Sequence, residues 1–267
     1  MSKYLGRLLN IISHLRNPKC GCPWDIQQTF KSIVPYTIEE AYEVADAIEK
    51  GDHEALCDEL GDLLFQVVFH ARLAEEAGYF NFDAVACGIC EKMIRRHPHV
   101  FGGEKLSSVD VQISQWEKEK ALERSISAAE KGQKVSVLDD IPITLPALTY
   151  ADKIGRRAAN VGFDWTDTKG VFAKFDEELQ EVITAMNGET KERVAEEIGD
   201  LLFTASSLAR HLAVDPEASL RASISKFDKR FRKIEASYER DGLDMSAASI
   251  EDMEARWNAI KKDKDAV

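Results

Sequence analysis

The sequence predicts an all-α protein built from two tandem copies of one helical unit. Three observations carry this reading. Long stretches show apolar residues at a 3.6-residue period, with hardly any alternating segments; there are only seven prolines and 15 glycines in 267 residues; and the chain repeats itself internally.

Helices are expected near 2–16, 36–50, 53–77, 82–96 and 108–131, then 146–159, 168–187, 190–212, 216–240 and 247–263. Prolines punctuate these segments, since the ring removes a backbone donor and resists the helix interior. Pro23 and Pro35 precede the second segment, Pro98 follows the fourth, Pro142 precedes the sixth, and Pro146 and Pro216 open the sixth and the ninth. Between 170 and 187, Phe172, Phe175, Leu179, Val182, Ile183 and Met186 fall on one stripe. Val194, Ile198, Leu201, Leu202, Ala205 and Ala209 do the same in the following segment. Asn187-Gly188 supplies a stop between the two, so they can fold back as an antiparallel hairpin. The stretch from Ile126 to Pro146 is polar and then turn-like, the composition of a linker.

Shifting the chain by 138 residues aligns Glu39–Arg72 with Glu177–Arg210 without a gap, and 14 of the 34 positions are identical. Glu39/Glu177, Glu40/Glu178, Glu43/Glu181, Glu59/Glu197, Gly61/Gly199 and Asp62/Asp200 all recur, as does the Leu-Leu-Phe after each aspartate. Weaker echoes follow: Lys92 and Arg96 against Lys226 and Arg230, and Trp116 and Lys120 against Trp257 and Lys261. Two domains are expected, 1–130 and 139–267, each of ordinary domain size.

Forty-seven acids against 35 bases give a net charge of -12. Without a segregated basic patch, that charge repels nucleic acid and anionic membrane surfaces, so neither is an expected partner. No apolar run approaches the roughly 18 residues of a membrane span, and the N-terminus has no apolar signal region behind Lys3 and Arg7. A cytoplasmic protein is expected. Five cysteines, an odd number, are expected as reduced thiols. Cys20, Cys22, Cys87 and Cys90, with His97 and His99, make a poor zinc set, because the second copy has no counterpart.

The recurring acids carry the chemistry. At 100° per residue, Glu177, Glu178 and Glu181 fall within an arc of about 100°, and Glu197 and Asp200 project together from the next helix. A hairpin brings the two groups face to face. Like charges so close repel unless something compensates, and a hard divalent cation such as magnesium, which prefers oxygen ligands, does so. A solvated helix face needs no particular spacing. Here the acids recur at identical spacing while neighbouring surface positions differ, as in His53 against Lys191 and Asp46 against Thr184. A di-iron bundle expects Glu-x-x-His pairs, and no histidine has a glutamate three residues before it. Neither a P-loop nor a dinucleotide-binding glycine motif is present.

The E-E-x-x-E, fifteen-residue gap, E-x-x-D arrangement in both halves resembles the MazG family of nucleoside triphosphate pyrophosphohydrolases. So do Cys22-Pro-Trp-Asp25, Arg95-Arg-His-Pro-His-Val-Phe-Gly102 and Asn160-Val-Gly-Phe-Asp-Trp165. The similarity spans essentially the whole chain, in the two-domain form of the family. It implies a four-helix bundle completed by dimerisation, hence a homodimer. It also implies Mg2+-dependent hydrolysis of a nucleoside triphosphate to the monophosphate and pyrophosphate, with Mn2+ as a substitute cation.

Carried over by resemblance, the metal ligands are Glu178, Glu181, Glu197 and Asp200, with a second site at Glu40, Glu43, Glu59 and Asp62 beside Glu39. Glu177 or Glu178 is the proton acceptor, and Lys174, one turn before the first acids, completes the catalytic set as a phosphate-contacting base. Lys174, Glu196, Lys226, Arg230, Trp257 and Lys261 form the substrate-binding set. The resemblance implies that the C-terminal copy is the main hydrolase, and the two copies differ in that Tyr36 stands where Lys174 does and Asp58 matches Glu196. The competing reading is a non-catalytic, metal-stabilised helical module for interaction or regulation, whose melting temperature Mg2+ raises while no nucleotide is consumed.

Overall fold

A computed structural model describes residues 3–102, 111–112, 119–122, 126, 136–188 and 190–262. No strand occurs among the described residues, and no helix among them is long and apolar enough to cross a membrane. The chain separates into two compact units, Met1–Glu119 and Lys120–Val267. Trp116 and positions 127–135 of the expected linker lie outside the described residues, as does most of the helix expected at 108–131.

The first unit contains α1 (Lys3–Leu15), α2 (Pro23–Gln27), α3 (Phe30–Lys50), α4 (His53–Glu76), α5 (Phe82–Arg96) and α6 (Pro98–Phe101). α3 starts six residues before the expected position and carries Pro35 inside it, correcting the boundary drawn there. Thr29 accounts for the difference. Its side chain accepts from the Ser32 amide while Ser32 Oγ accepts from the Thr29 amide, a reciprocal cap that fixes the start upstream. Pro35 then falls in the second turn, where it removes a single helical hydrogen bond. The hairpin to α4 turns at Gly51, whose φ of 68° lies in the left-handed region. Asp52 caps α4 by accepting from the amides of Glu54 (3.1 Å) and Ala55 (3.0 Å).

Ile12, Ile33, Val68, Phe69 and Leu73 form a buried cluster, flanked by Leu8, Leu9, Leu15, Phe65 and Phe82. Burying a side chain such as Phe69 contributes about 1.5–3 kcal/mol. Arg16 ties the turn after α1 to the end of α4. Its Nη2 lies 2.6 Å from Glu76, while Nη1 donates to the carbonyls of Asp25 and Gln28.

The second unit contains α7 (Ala147–Ala159), α8 (Thr168–Met186), α9 (Lys191–His211), α10 (Pro216–Asp241), a 3-10 turn at Met245–Ala247, and α11 (Ile250–Lys262). α11 begins three residues later than expected, because Asp244 first caps the 3-10 turn. α8 and α9 form the second hairpin, α7 packs on α9 and α10, and α10 packs on α11. Asp167 caps α8, accepting from the amides of Lys169 and Gly170.

At repeat positions 206 and 207 the second unit has serines where the first has Val68 and Phe69. Ile141, Val171, Ala185, Ile234 and Tyr238 are its buried apolar residues. Phe172, Leu179, Ile183 and Met186 of α8, with Ile198 and Leu202 of α9, remain exposed. Much of the apolar stripe read from the sequence is therefore not covered by the unit that carries it.

Candidate active site

The α8–α9 hairpin buries carboxylates. Glu178 is 4% exposed and Glu197 2%, and an oxygen of each lies within 4.8 Å of the other and of an oxygen of the exposed Asp200. Taking ionised carboxylates out of water is costly unless they are paired. Here the pairing comes from two cations on the same helices. Lys174 Nζ, one turn before the acids, lies 2.7 Å from Glu177 and 2.8 Å from Glu178. Arg193, whose amide is capped by Thr190, reaches Glu196 at 2.8 Å and also contacts Glu197.

One donor position stays open. Lys174 engages Glu178 Oε1, and Glu178 Oε2 is buried with no hydrogen-bond partner. Burial holds the Glu197 carboxyl above its ordinary pKa; Arg193 opposes this, and Glu181, Asp200 and Glu178 add to it by repulsion. Hydrogen bonds to Glu177 and then Glu178 push the Lys174 ammonium up. Three hard oxygens within 4.8 Å of one another, one of them from a glutamate that keeps an orphaned buried oxygen, fit a small divalent cation. Of the sequence-derived ligands, Glu178, Glu197 and Asp200 come together. Glu181 is exposed and lies outside that set.

The other expected substrate residues lie on α10 and α11. The Trp257 ring lies 5.3 Å from Phe227 and 5.8 Å from the Arg230 guanidinium carbon, while Lys226 and Lys261 are exposed. This aromatic surface with a cation beside it suits a flat heterocycle and its phosphates.

The first unit repeats the acid geometry with a different ligand set. Oxygens of Glu40, Glu43 and Glu59 lie within 4.8 Å of one another, and Asp62 is exposed outside that set. Glu40 accepts from Gln66 Nε2 at 3.3 Å. Burial first, then repulsion from Asp62 and Glu43, raises the Glu40 pKa; burial and the neighbouring acids, Glu43 foremost, raise that of Glu59. All five cysteines are free thiols. Among the described residues, the groups that could hold a metal are these two carboxylate clusters.

Sequence reasoning missed Arg193 and the Asp164 clamp. Arg193 was visible as a base three and four residues before Glu196 and Glu197. Asp164 takes Arg210 bidentately at 2.6 and 2.7 Å, and His211 Nε2 at 2.9 Å. Hydrogen bonds from Arg210, then His211, hold its carboxyl well below the ordinary range. The clamp fixes the loop before α8 to the end of α9. The Trp165 ring sits against Gly170, where an added Cβ would lie 2.6 Å from Cδ1.

Residues 28–101 match the family model of the MazG nucleotide pyrophosphohydrolase domain, and residues 153–226 match that of phosphoribosyl-ATP pyrophosphohydrolase. A nucleoside triphosphate pyrophosphohydrolase of Escherichia coli K12 is 46% identical over 260 residues, covering 97% of each chain. A nucleoside triphosphate pyrophosphohydrolase/pyrophosphatase MazG of Thermotoga maritima is 44% identical over 255 residues, covering 95% of this chain and 94% of the relative.

Proposed function

This chain belongs to the MazG family of nucleoside triphosphate pyrophosphohydrolases, and we propose that the α8–α9 carboxylates are its principal catalytic centre. The chain is a nucleoside triphosphate pyrophosphohydrolase that uses a divalent metal. Water attacks the triphosphate, and the nucleoside monophosphate and pyrophosphate leave. We assign Mg2+ as the cation, with Mn2+ as a substitute, held by Glu178, Glu197 and Asp200, with Glu181 one turn beyond Glu178. The observation that carries this assignment is the orphaned Oε2 of the buried Glu178 among converging oxygens.

When bound, the cation neutralises phosphate charge and acidifies water. The chain's own residues supply the rest. Lys174, Lys226 and Arg230 hold the phosphates and stabilise charge developing on the leaving pyrophosphate. Glu177, exposed and held 2.7 Å from the Lys174 ammonium, accepts the proton of the attacking water once Lys174 turns to phosphate. Glu196, Trp257 and Lys261 position the nucleoside end, with Trp257 and Phe227 offering a stacking surface.

The Glu40, Glu43, Glu59 and Asp62 group is a second cation site of low activity, because Tyr36 replaces the phosphate-binding lysine. The uncovered stripe of Phe172, Leu179, Ile183, Met186, Ile198 and Leu202 supports a homodimer, in which a second copy completes the bundle. Free thiols suit a reducing compartment, and we place the protein in the cytoplasm.

The test is pyrophosphate release from a triphosphate with Mg2+. Glu178→Ala and Asp200→Ala should each lower turnover by more than about 100-fold while the circular-dichroism spectrum stays helical. Full turnover in both variants would remove the assignment.

A further inference from the structure

We propose that Arg193 and Lys174 are resident counter-cations that an incoming metal ion must displace. The C-terminal site then takes its cation together with a triphosphate, whereas the N-terminal cluster takes the bare cation. The inference rests on the reading of both acid clusters as metal sites and adds the order in which each is filled.

Two of the three converging C-terminal carboxylates are already neutralised from within. Glu197 contacts the Arg193 guanidinium and Glu178 contacts the Lys174 ammonium, both on the least exposed acids of the hairpin. Each of these cations also reaches a second, exposed acid: Glu196 for Arg193 and Glu177 for Lys174. A divalent ion arriving alone finds Glu178 Oε2 open, but to gather Glu197 as well it must compete with these charge-assisted bonds and stand beside two positive groups with little water between them. A triphosphate alters that balance. Its oxygens offer Arg193 and Lys174 new anionic partners as they leave the acids, and a guanidinium is well shaped for phosphate. Metal and triphosphate should therefore bind the C-terminal site with strong mutual dependence.

The N-terminal cluster carries neither residue at the matching positions. The repeat positions of Lys174 and Arg193 hold Tyr36 and Ala55. The side-chain donor to Glu40 there is the neutral amide of Gln66 at 3.3 Å. Repulsion among Glu40, Glu43, Glu59 and Asp62 is relieved directly by a bare cation, which at Glu40 meets a neutral amide rather than an ammonium.

The experiment uses the full chain and Mn2+, followed by electron paramagnetic resonance with and without a non-hydrolysable α,β-methylene triphosphate. Glu59→Ala isolates the C-terminal site and Glu197→Ala the N-terminal one. In the Glu59→Ala chain the analogue should tighten Mn2+ at least about tenfold. Adding Arg193→Ala should tighten bare Mn2+ by roughly tenfold and shrink the effect of the analogue. In the Glu197→Ala chain, Ala55→Arg should weaken bare Mn2+ by a similar factor. This second variant carries the test if Arg193→Ala does not fold. Unchanged or weaker bare-metal binding in Arg193→Ala, or no effect of Ala55→Arg, overturns the proposal and leaves the acid sites standing. Undiminished Mn2+ binding when Glu59→Ala and Glu197→Ala are combined would remove the sites and the proposal together.

Discussion

The acids of the two hairpins follow one sequence pattern, but their surroundings diverge. Glu178 and Glu197 are nearly closed to solvent and carry Lys174 and Arg193. Glu40 and Glu59 are half-buried, and Glu40 accepts from a neutral glutamine. The units beneath them diverge in the opposite sense. The first closes an apolar cluster around Val68 and Phe69, while the second has Ser206 and Ser207 at those positions; both hairpins leave apolar residues exposed, Ile38, Tyr42 and Leu60 in one and Leu179, Ile183 and Ile198 in the other. Acid spacing alone thus builds a carboxylate cluster, but neighbouring cations and depth of burial decide what it can do.

The largest effect should come from removing the matched glutamates one at a time. Glu197→Ala should abolish pyrophosphate release, a loss on the order of 1,000-fold. Glu59→Ala should leave turnover within about threefold, since its copy lacks the lysine that would hold phosphate. Steady-state kinetics on both variants decides the ranking, and equal losses would place the two copies on the same footing.

A second contrast concerns the arginine at the end of each hairpin helix, Arg72 and Arg210, which occupy one repeat position. Arg210 reaches across 46 residues to Asp164 and pins the loop before α8. Arg72 pairs with Glu75 and Glu76 on its own helix. Asp164→Ala should cost about 2 kcal/mol of stability, since it strips a largely buried Arg210 and His211 of their shared anion. Glu75→Ala, which breaks an exposed helical pair, should cost less than about 0.5 kcal/mol. The folded-state pKa of Asp164 is depressed, so the clamp's contribution is present above the ordinary aspartate range and disappears as pH falls below it. Urea melts at pH 7 and pH 3 measure both the ranking and the sign.

The sequence made the acids legible because helical geometry turns spacing into direction. Glu178, Glu197 and Asp200 meet because E-E-x-x-E and E-x-x-D lie on facing strips of a hairpin whose turn was readable at Asn187-Gly188. It did not reveal which acids go inside, since Glu177 and Glu178 are adjacent and only the packing of α8 on α9 buries one of them. Arg193 was in view as a local partner, but its weight depends on the burial of Glu197. Asp164 and Arg210 are joined only by the fold of a loop. Pro35 misled in the other direction, because proline marks a boundary only where no stronger cap lies upstream, and Thr29 is such a cap. The apolar stripe of α8 was read correctly as a stripe, but periodicity cannot say which molecule covers it.

The smallest effect is also the most direct probe of the counter-charge difference, because it needs neither metal nor substrate. Glu40 and Glu59 both have folded-state pKa values above the ordinary glutamate value, with burial the first cause and neighbouring acids the next. A carboxyl raised in the folded state binds its proton more tightly there than in the unfolded chain. Its contribution to stability is therefore full below the unfolded-state pKa of about 4.3 and is lost as pH rises through the folded one. In EDTA, the first unit should melt at progressively lower temperature between pH 4 and pH 7. Glu40→Gln with Glu59→Gln should flatten that slope and raise the melting temperature at pH 7 by a few degrees. In the C-terminal hairpin Glu197 is raised too, but Arg193 opposes the rise, so Glu197→Gln should gain less there and strand a guanidinium. Calorimetry, which resolves two transitions if the units melt separately, would show the difference. A steeper pH slope for the C-terminal transition would mean that Lys174 and Arg193 do not neutralise the acids they touch.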